Sequence, residues 1–458
     1  MRPKSKKQLS LSANWLAFEQ AQELGAICRI LDAHPTAGEM VWQDLLASGL
    51  AKEGGDTAGL SGEQVLRALI VKQLNEFSYR ELAFHLADSS SYRKFCGLEW
   101  SQPPSKSNLA ACIKAIRAET LDQINQMLVA YAKATKVDDG LKIRGDTTVV
   151  ESNIHAPLDS RLLLDSVRVL TRTMRKLCTK LGSKQLIPDR NQRAKRRALG
   201  ILNARNMKKR KPLYRDLVKV TEETIARAQE LITKADAAIK RAAKRKNANR
   251  DEAIKLRQKL THYMQLARRV VDQTRRRVFA GESVPAREKI VSLFEEHTDV
   301  IVKDNRDTFY GHKICLSTGK STLVIDCQIL DGNPADSTLA QDMIDRHIEI
   351  TGRAPRQSAY DGGFTSRANL DALKAKGVED VVFSKAKHLE VAEMARSNWV
   401  YRKLRDFRAG IEATISFLKR SFGLDRCTWK SLSSFKSYVW SSVVSFNLLV
   451  IARHQLKS

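Results

Sequence analysis

Apolar residues recur at helical spacing through the first third of the chain, and this pattern predicts helices across residues 13–136. Two helix starts carry capping boxes, Ser61-Gly-Glu-Gln64 and Ser78-Tyr-Arg-Glu81, in which side chains take up backbone amides that the first turn leaves unpaired. Behind the first, Val65, Leu66, Leu69 and Ile70 form a face to bury. Ser78 to Leu98 and Ser105 to Ile116 read as short helices around a Ser/Pro-rich turn, Ser101 to Ser107. That arrangement suits a DNA-reading helix-turn-helix and plain bundle packing equally.

At Lys142 the pattern shortens to Lys-Ile-Arg-Gly-Asp-Thr-Thr-Val-Val, a single strand. Helical spacing then returns from Arg161 to Ile290, with breaks expected near Pro188, Pro212 and Pro285. Strand patterns follow at Asp299 to Val302, Tyr310 to Ser317 and Ser321 to Leu330, the last two joined as a hairpin through Thr318-Gly-Lys320. A helix from Ala335 to Thr351, a strand from Arg356 to Asp361, a helix from Ser366 to Ala375 and a strand from Val378 to Ser384 complete an α/β order with a mixed sheet. The stretch Tyr438 to Ala452 is apolar but broken by Ser441, Ser442, Ser445 and Asn447, so it reads as a buried helix and not a membrane span.

Charge changes the picture more than overall composition does. The 458 residues carry 79 Lys and Arg against 51 Asp and Glu, a formal net charge of +28. A surface so basic seeks a polyanion, first of all nucleic acid. Nearly all of the excess sits between Arg161 and Ile290, where 37 Lys and Arg face 12 Asp and Glu. A merely solvated helix mixes signs, but Arg193-Ala-Lys-Arg-Arg197, Lys208-Lys-Arg-Lys211, Arg241-Ala-Ala-Lys-Arg-Lys246 and Arg275-Arg-Arg277 are single-signed, which favours phosphate contact. Seven cysteines with no Cys-x-x-Cys pairing argue against a zinc site and for reduced thiols. Met1 to Ser12 is basic without a following apolar block, so a cytoplasmic, nucleoid-associated location is expected, with no membrane partner.

Three acidic residues stand where such a sheet would gather them: Asp146 in the first strand, Asp361 at the end of a later one and Glu412 in a C-terminal helix. Converging carboxylates suit two magnesium ions, one to activate an oxygen nucleophile and one to stabilise the leaving oxygen of a phosphoryl transfer. On a helix, Arg405, Arg408, Glu412 and Lys419 share one stripe, while Ile411, Ile415, Leu418 and Phe422 form an apolar stripe beside it that suits packing on the sheet. The cations could grip phosphates or simply form solvated pairs. Glu151 and His155 are expected in supporting roles, because strand alternation turns Glu151 away from the face of Asp146. His312 and Lys313 read as strand surface, and Asp304, Asp326, Asp331 and Asp336 as weaker rivals for a metal.

Gly145-Asp-Thr-Thr148, Tyr360-Asp-Gly-Gly-Phe364 and Arg408-Ala-Gly-Ile-Glu412 with Lys419 resemble the catalytic signatures of DDE transposases of the broad bacterial group around insertion sequences four and five. The last resembles that group's Tyr-Arg-Glu-Lys motif, although Arg405 stands at the position of the Tyr. Tyr310-Gly-His-Lys313 with Gly332-Asn-Pro-Ala-Asp336 is similar to the strands between the two catalytic aspartates, and Ser61 to Leu98 to the N-terminal helical domain.

The resemblance implies a ribonuclease H-like catalytic domain in residues 139–160 and 298–454, an all-α N-terminal domain in residues 1–138 and, after the first strand, a basic helical insertion in residues 161–297. It also implies catalytic and metal-holding roles for Asp146, Asp361 and Glu412, DNA contacts by Arg405, Arg408 and Lys419, and magnesium with manganese as substitute. The implied partners are double-stranded DNA with terminal inverted repeats and a target DNA, engaged by a homodimer. The reaction would be cleavage at insertion-sequence ends followed by strand transfer. A non-catalytic DNA-binding protein or a nuclease that cuts without joining stays open as an alternative.

Overall fold

The computed structural model describes residues 18–52, 59–98, 102–241, 248–303, 307–386 and 388–457. Its elements run α1 (Glu19–Asp32), α2 (Thr36–Ala47), α3 (Gly62–Leu74), α4 (Tyr79–Asp88), α5 (Ser90–Phe95), α6 (Lys106–Ala115), α7 (Ala118–Ala134) and β1 (Lys142–Glu151). Then come α8 (Asp159–Lys180), α9 (Asn191–Asn203), α10 (Met207–Arg241), α11 (Ala248–Thr274), β2 (Asp299–Lys303), β3 (Asp307–Thr318) and β4 (Val324–Ile329). The last are α12 (Ala340–Thr351), β5 (Gln357–Tyr360), α13 (Arg367–Ala375), β6 (Asp380–Phe383), α14 (Val391–Met394), α15 (Asn398–Ser421) and α16 (Leu432–Lys457). Met1 to Ser12, Ser101, Lys244 to Lys246 and Asp304, which the sequence singled out, lie outside the described residues. The chain divides into two units, residues 1–153 with 311–458, and residues 154–310.

In the first unit the strands lie in the order β4-β3-β1-β5-β6. β3 is antiparallel to both β1 and β4, whereas β5 runs parallel to β1 and β6 parallel to β5. The sheet is therefore mixed, with its parallel half at the end that carries β5 and β6. The N-terminal helices share one hydrophobic core with this sheet. α16 joins them, packing against α1, α3 and α7 and also against β4 and α15.

The polar residues that interrupt the apolar run of α16 are what lock it in place. Asn447 accepts from the Val324 amide (2.9 Å) and donates to the Val324 carbonyl (2.7 Å) and to Asn125 (2.6 Å), while Gln73 donates to Ser441 and Ser442. Buried polar groups are tolerated when paired in this way. Among the described residues α16 is the one helix of membrane-spanning length and apolarity, and 89% of that stretch is buried inside the protein. Both expected capping boxes form, at Ser61 with Gln64 and at Ser78 with Glu81.

The second unit is helical, with α8, α10 and α11 as long helices and α9 packed on α8 and α10 around a separate core. Buried Asp159 is held there by Arg277 (2.8 Å) and by Gln273 (3.0 Å). One expectation fails: Pro212 does not break the chain but sits inside α10, six residues from its start. Its missing N–H removes only the hydrogen bond to Lys208, in an early turn where the loss is cheap. The helix expected from Ala335 likewise starts later, at Ala340, after a short 3-10 turn at Asp336–Thr338.

Candidate active site

The register of the parallel strands sets two carboxylates side by side. Gly145 of β1 pairs with Tyr360 of β5, so the next residues along these neighbouring strands are Asp146 and Asp361. Adjacent strands lie about 4.8 Å apart. Gly145 is required by what covers it: a Cβ there would come within 2.4 Å of Met343 Cε and 2.9 Å of Tyr360 Cε1. β1 ends its parallel pairing at this point, and β5 stops at Tyr360, leaving Asp361 at the strand's C-terminal end.

The third carboxylate arrives on α15, which begins at Ser397, whose hydroxyl accepts from the Val400 amide. The helix lies across β1, β5 and β6. Val400, Leu404, Ile411 and Leu418 are buried beneath it, and Phe422 follows. Leu404 and Val400 meet Ala359 and Val382 of the sheet. Arg144 fixes its position along the sheet: the guanidinium donates to the Phe407 carbonyl (2.7 Å) and to Thr318 (3.0 Å) and lies 4.6 Å from the Phe407 ring centre. Gly410 makes room for it, since a Cβ would fall 2.0 Å from Arg144 Nη1.

With α15 so placed, Arg408 reaches all three acids. Its guanidinium stands 2.9 Å from Asp146 Oδ2, 3.5 Å from Asp361 Oδ2 and 2.5 Å from Glu412 Oε1. Only 13% of the Arg408 side chain is exposed, against 45% for Asp361 and 63% for Glu412, so these two acids present their outer edge to solvent while the cation and Asp146 lie deeper. Asp146 also accepts from the Thr147 amide at 2.7 Å. The structure thus brings Asp146, Asp361, Glu412 and Arg408 together. It turns the other two cations of the stripe elsewhere, Arg405 toward Asp406 (3.7 Å) and Lys419 toward Asp425 (3.6 Å).

Among the described residues no three His, Cys, Asp or Glu side chains stand close enough to share one metal ion. The reason here is geometric: Arg408 separates the three carboxylates it binds. The donor set nonetheless suits a divalent ion, because hard oxygens converge on one positive group and the solvent-facing edge leaves them approachable.

Two neighbours were undervalued in the sequence. Asp336 accepts from Thr147, the residue after Asp146, at 3.0 Å and pairs with Lys313 at 2.6 Å. Lys313 and His312 are buried, not surface: Lys313 also donates to the Pro334 carbonyl, and His312 packs edge-on against Phe435. Asp326 belongs to a different pair, with Arg346 at 2.6 Å. Glu151 bonds Arg426, on the side away from Asp146, and His155 is exposed in the second unit. Arg144 carried one usable signal, its period-two spacing from Asp146 in β1.

Residues 269–448 match the Transposase DDE domain, and residues 18–115 match a second family, Transposase domain (DUF772). The first match contains Asp361, Arg408 and Glu412 but begins beyond Asp146. No curated protein and no solved structure matches the chain. The chain is a DDE transposase, a DNA-acting polynucleotidyl transferase and nuclease.

Proposed function

We propose that Asp146, Asp361 and Glu412 are the catalytic and metal-holding carboxylates of this transposase, and that it cuts DNA at terminal inverted repeats and joins the freed ends to a target. The observation that carries the assignment is the convergence of the three acids on one guanidinium, from two neighbouring strands and a helix far apart in sequence. Three antiparallel strands followed by two parallel ones, with Asp146 within β1 beside Asp361 just after β5, support a ribonuclease H-like core.

The family uses divalent metal, and we assign two magnesium ions, with manganese as substitute, to these carboxylates. Bound there, the ions would activate the attacking oxygen and stabilise the leaving one. The protein's own part begins with Arg408, which has to release the acids and then has a guanidinium suited to a neighbouring phosphate. Arg144 and the buried face of α15 hold Glu412 beside β1 and β5 throughout. Arg405 and Lys419, one turn before and two turns after the Arg408–Glu412 pair, are our further DNA contacts.

The second unit is our candidate for additional backbone contacts. Lys208, Lys211, Arg215 and Lys219 follow one another at three- and four-residue spacing along α10, none of them in an ion pair with another described residue. Like charges at that spacing repel, and DNA phosphates are the natural counterpart. The N-terminal helices are assigned a share in DNA binding as well, with the enzyme working as a homodimer on DNA in the cytoplasm.

Cleavage of a labelled duplex carrying the flanking repeats, by wild type and Asp361→Asn with and without magnesium, tests the reading. Metal-dependent nicking at the repeat ends, absent in the variant, is the expected result. Equal cutting by both proteins removes Asp361 from the site, and cutting without any joined product removes strand transfer.

A further inference from the structure

A cavity of about 590 Å³ opens in the first unit, between α3, the start of α4 and the chain on either side of the turn from α15 to α16. Its chemistry is that of an unmatched set of donors. Among the described residues the Nε1 of Trp429, which is 2% exposed, has no hydrogen-bond partner, and the buried Tyr79 hydroxyl has none either. Lys72 is 6% exposed, and among the described residues no carboxylate is bound to it, only Gln73 at 3.3 Å. Lys72 and the exposed Lys114 each lie about 5.5 Å from the Tyr79 ring centre.

Burying an ammonium group without a counter-ion is costly, and so is leaving an indole N–H and a hydroxyl unpaired. The acids along the wall relieve this only in part: Glu76 raises the Lys72 pKa, but burial outweighs it, and each acid has a partner of its own. Glu76 accepts from the Gly423 amide (3.1 Å), Glu81 from the Ser78 amide (2.7 Å), and Asp425 faces Lys419 (3.6 Å). Burial lowers the pKa of Lys72 to about 8, which a bound anion would reverse. Tyr79, Trp429 and Tyr438 add aromatic walls, and the volume accommodates a phosphate together with the sugar that carries it.

We propose that this cavity is a phosphate-binding site, with Lys72, Lys114, the Tyr79 hydroxyl and the Trp429 indole N–H as its donors, and that a DNA phosphodiester is the ligand. The DNA source rests on the transposase reading; the phosphate chemistry does not. Lys419 lines the same cavity and sits two turns from Glu412 on α15, which puts the site beside the acidic centre.

The test compares wild type, Lys114→Gln, Trp429→Phe and a control, Lys374→Gln, in two assays on the full chain. The first is fluorescence anisotropy with a labelled duplex over a range of salt. Lys114→Gln is expected to weaken binding about five-fold and to reduce the salt slope by about 0.9, the share of one phosphate contact. Trp429→Phe keeps an aromatic ring, removes one donor and weakens binding less, and the control leaves it unchanged. The second assay is thermal melting in inorganic phosphate against chloride at matched ionic strength.

A phosphate-induced rise in wild type that Lys114→Gln loses, with duplex binding unaffected, would overturn DNA as the source and leave free phosphate as the ligand. No difference among the proteins in either assay would overturn the site altogether. Failure of wild type itself to bind duplex would instead count against the transposase reading.

Discussion

The two units use charge in opposite ways. Around Asp146 the cations are turned inward, Arg408 into three carboxylates, Arg144 onto a carbonyl and an aromatic ring, Lys313 onto Asp336. In the second unit the few acids hold particular arginines, Asp216 with Arg193 and Arg197 and Asp236 with Arg257, while the α10 stripe is left to solvent. Inward charge fixes geometry, and outward charge of one sign attracts a polyanion at some cost in self-repulsion. A machine that must both grip DNA and cut it at one bond needs both arrangements.

Removing the inward acids should produce the largest effect. Asp146→Asn, Asp361→Asn and Glu412→Gln are each expected to lower cleavage by about a thousand-fold or more while duplex binding persists, because electrostatic stabilisation of the reacting oxygens is lost and the basic surfaces are not. Gel-resolved cleavage beside anisotropy checks both halves.

Acid pH probes the interior of the first unit in another way. His347 is fully buried, and its pKa is driven down to about 4, chiefly by burial. Between pH 6.5 and 4 the unfolded chain binds a proton that the folded chain refuses, so stability falls as pH falls through that window, by up to about 3 kcal/mol. Over this range the melting temperature of wild type should fall relative to that of His347→Leu as the pH falls, and parallel curves would reject the assignment.

Arg408→Gln sharpens the contrast further. Without their shared cation the three acids repel, and a loss of about 1–2 kcal/mol is expected in metal-free buffer, modest because two of the acids are well exposed. Manganese should restore more melting temperature to this variant than to wild type. The smallest effect belongs to the outward side: neutralising Lys208 and Lys219 together should weaken duplex binding a few-fold and lower the salt slope by about 1.8, with cleavage of bound DNA unchanged.

What the sequence made legible follows the same division. Helices of the second unit are local objects, and their three- and four-residue spacing was sufficient to read them; Pro212 misled because its position relative to the helix start depends on where Asn206 caps, its side chain accepting from the Lys209 amide. The three acids stood out because each stands in a short motif in a strand, just after one or on a polar helix face. What joins them was not. The Gly145–Tyr360 register, the hold of Arg144 on Phe407 and the closeness of Asp336 to Thr147 all arise from residues separated by more than 180 positions. Arg408 as the common partner of the triad also needed the fold, since helical spacing tied it only to Glu412. The cavity at Trp429 had no sequence signature at all.

Manganese binding by the full chain, read by electron paramagnetic resonance for wild type and Asp146→Asn, tests the carboxylate centre most directly. Bound manganese in wild type and its loss in the variant, with the fold intact, are the expected results. Equal binding by the two proteins would contradict it.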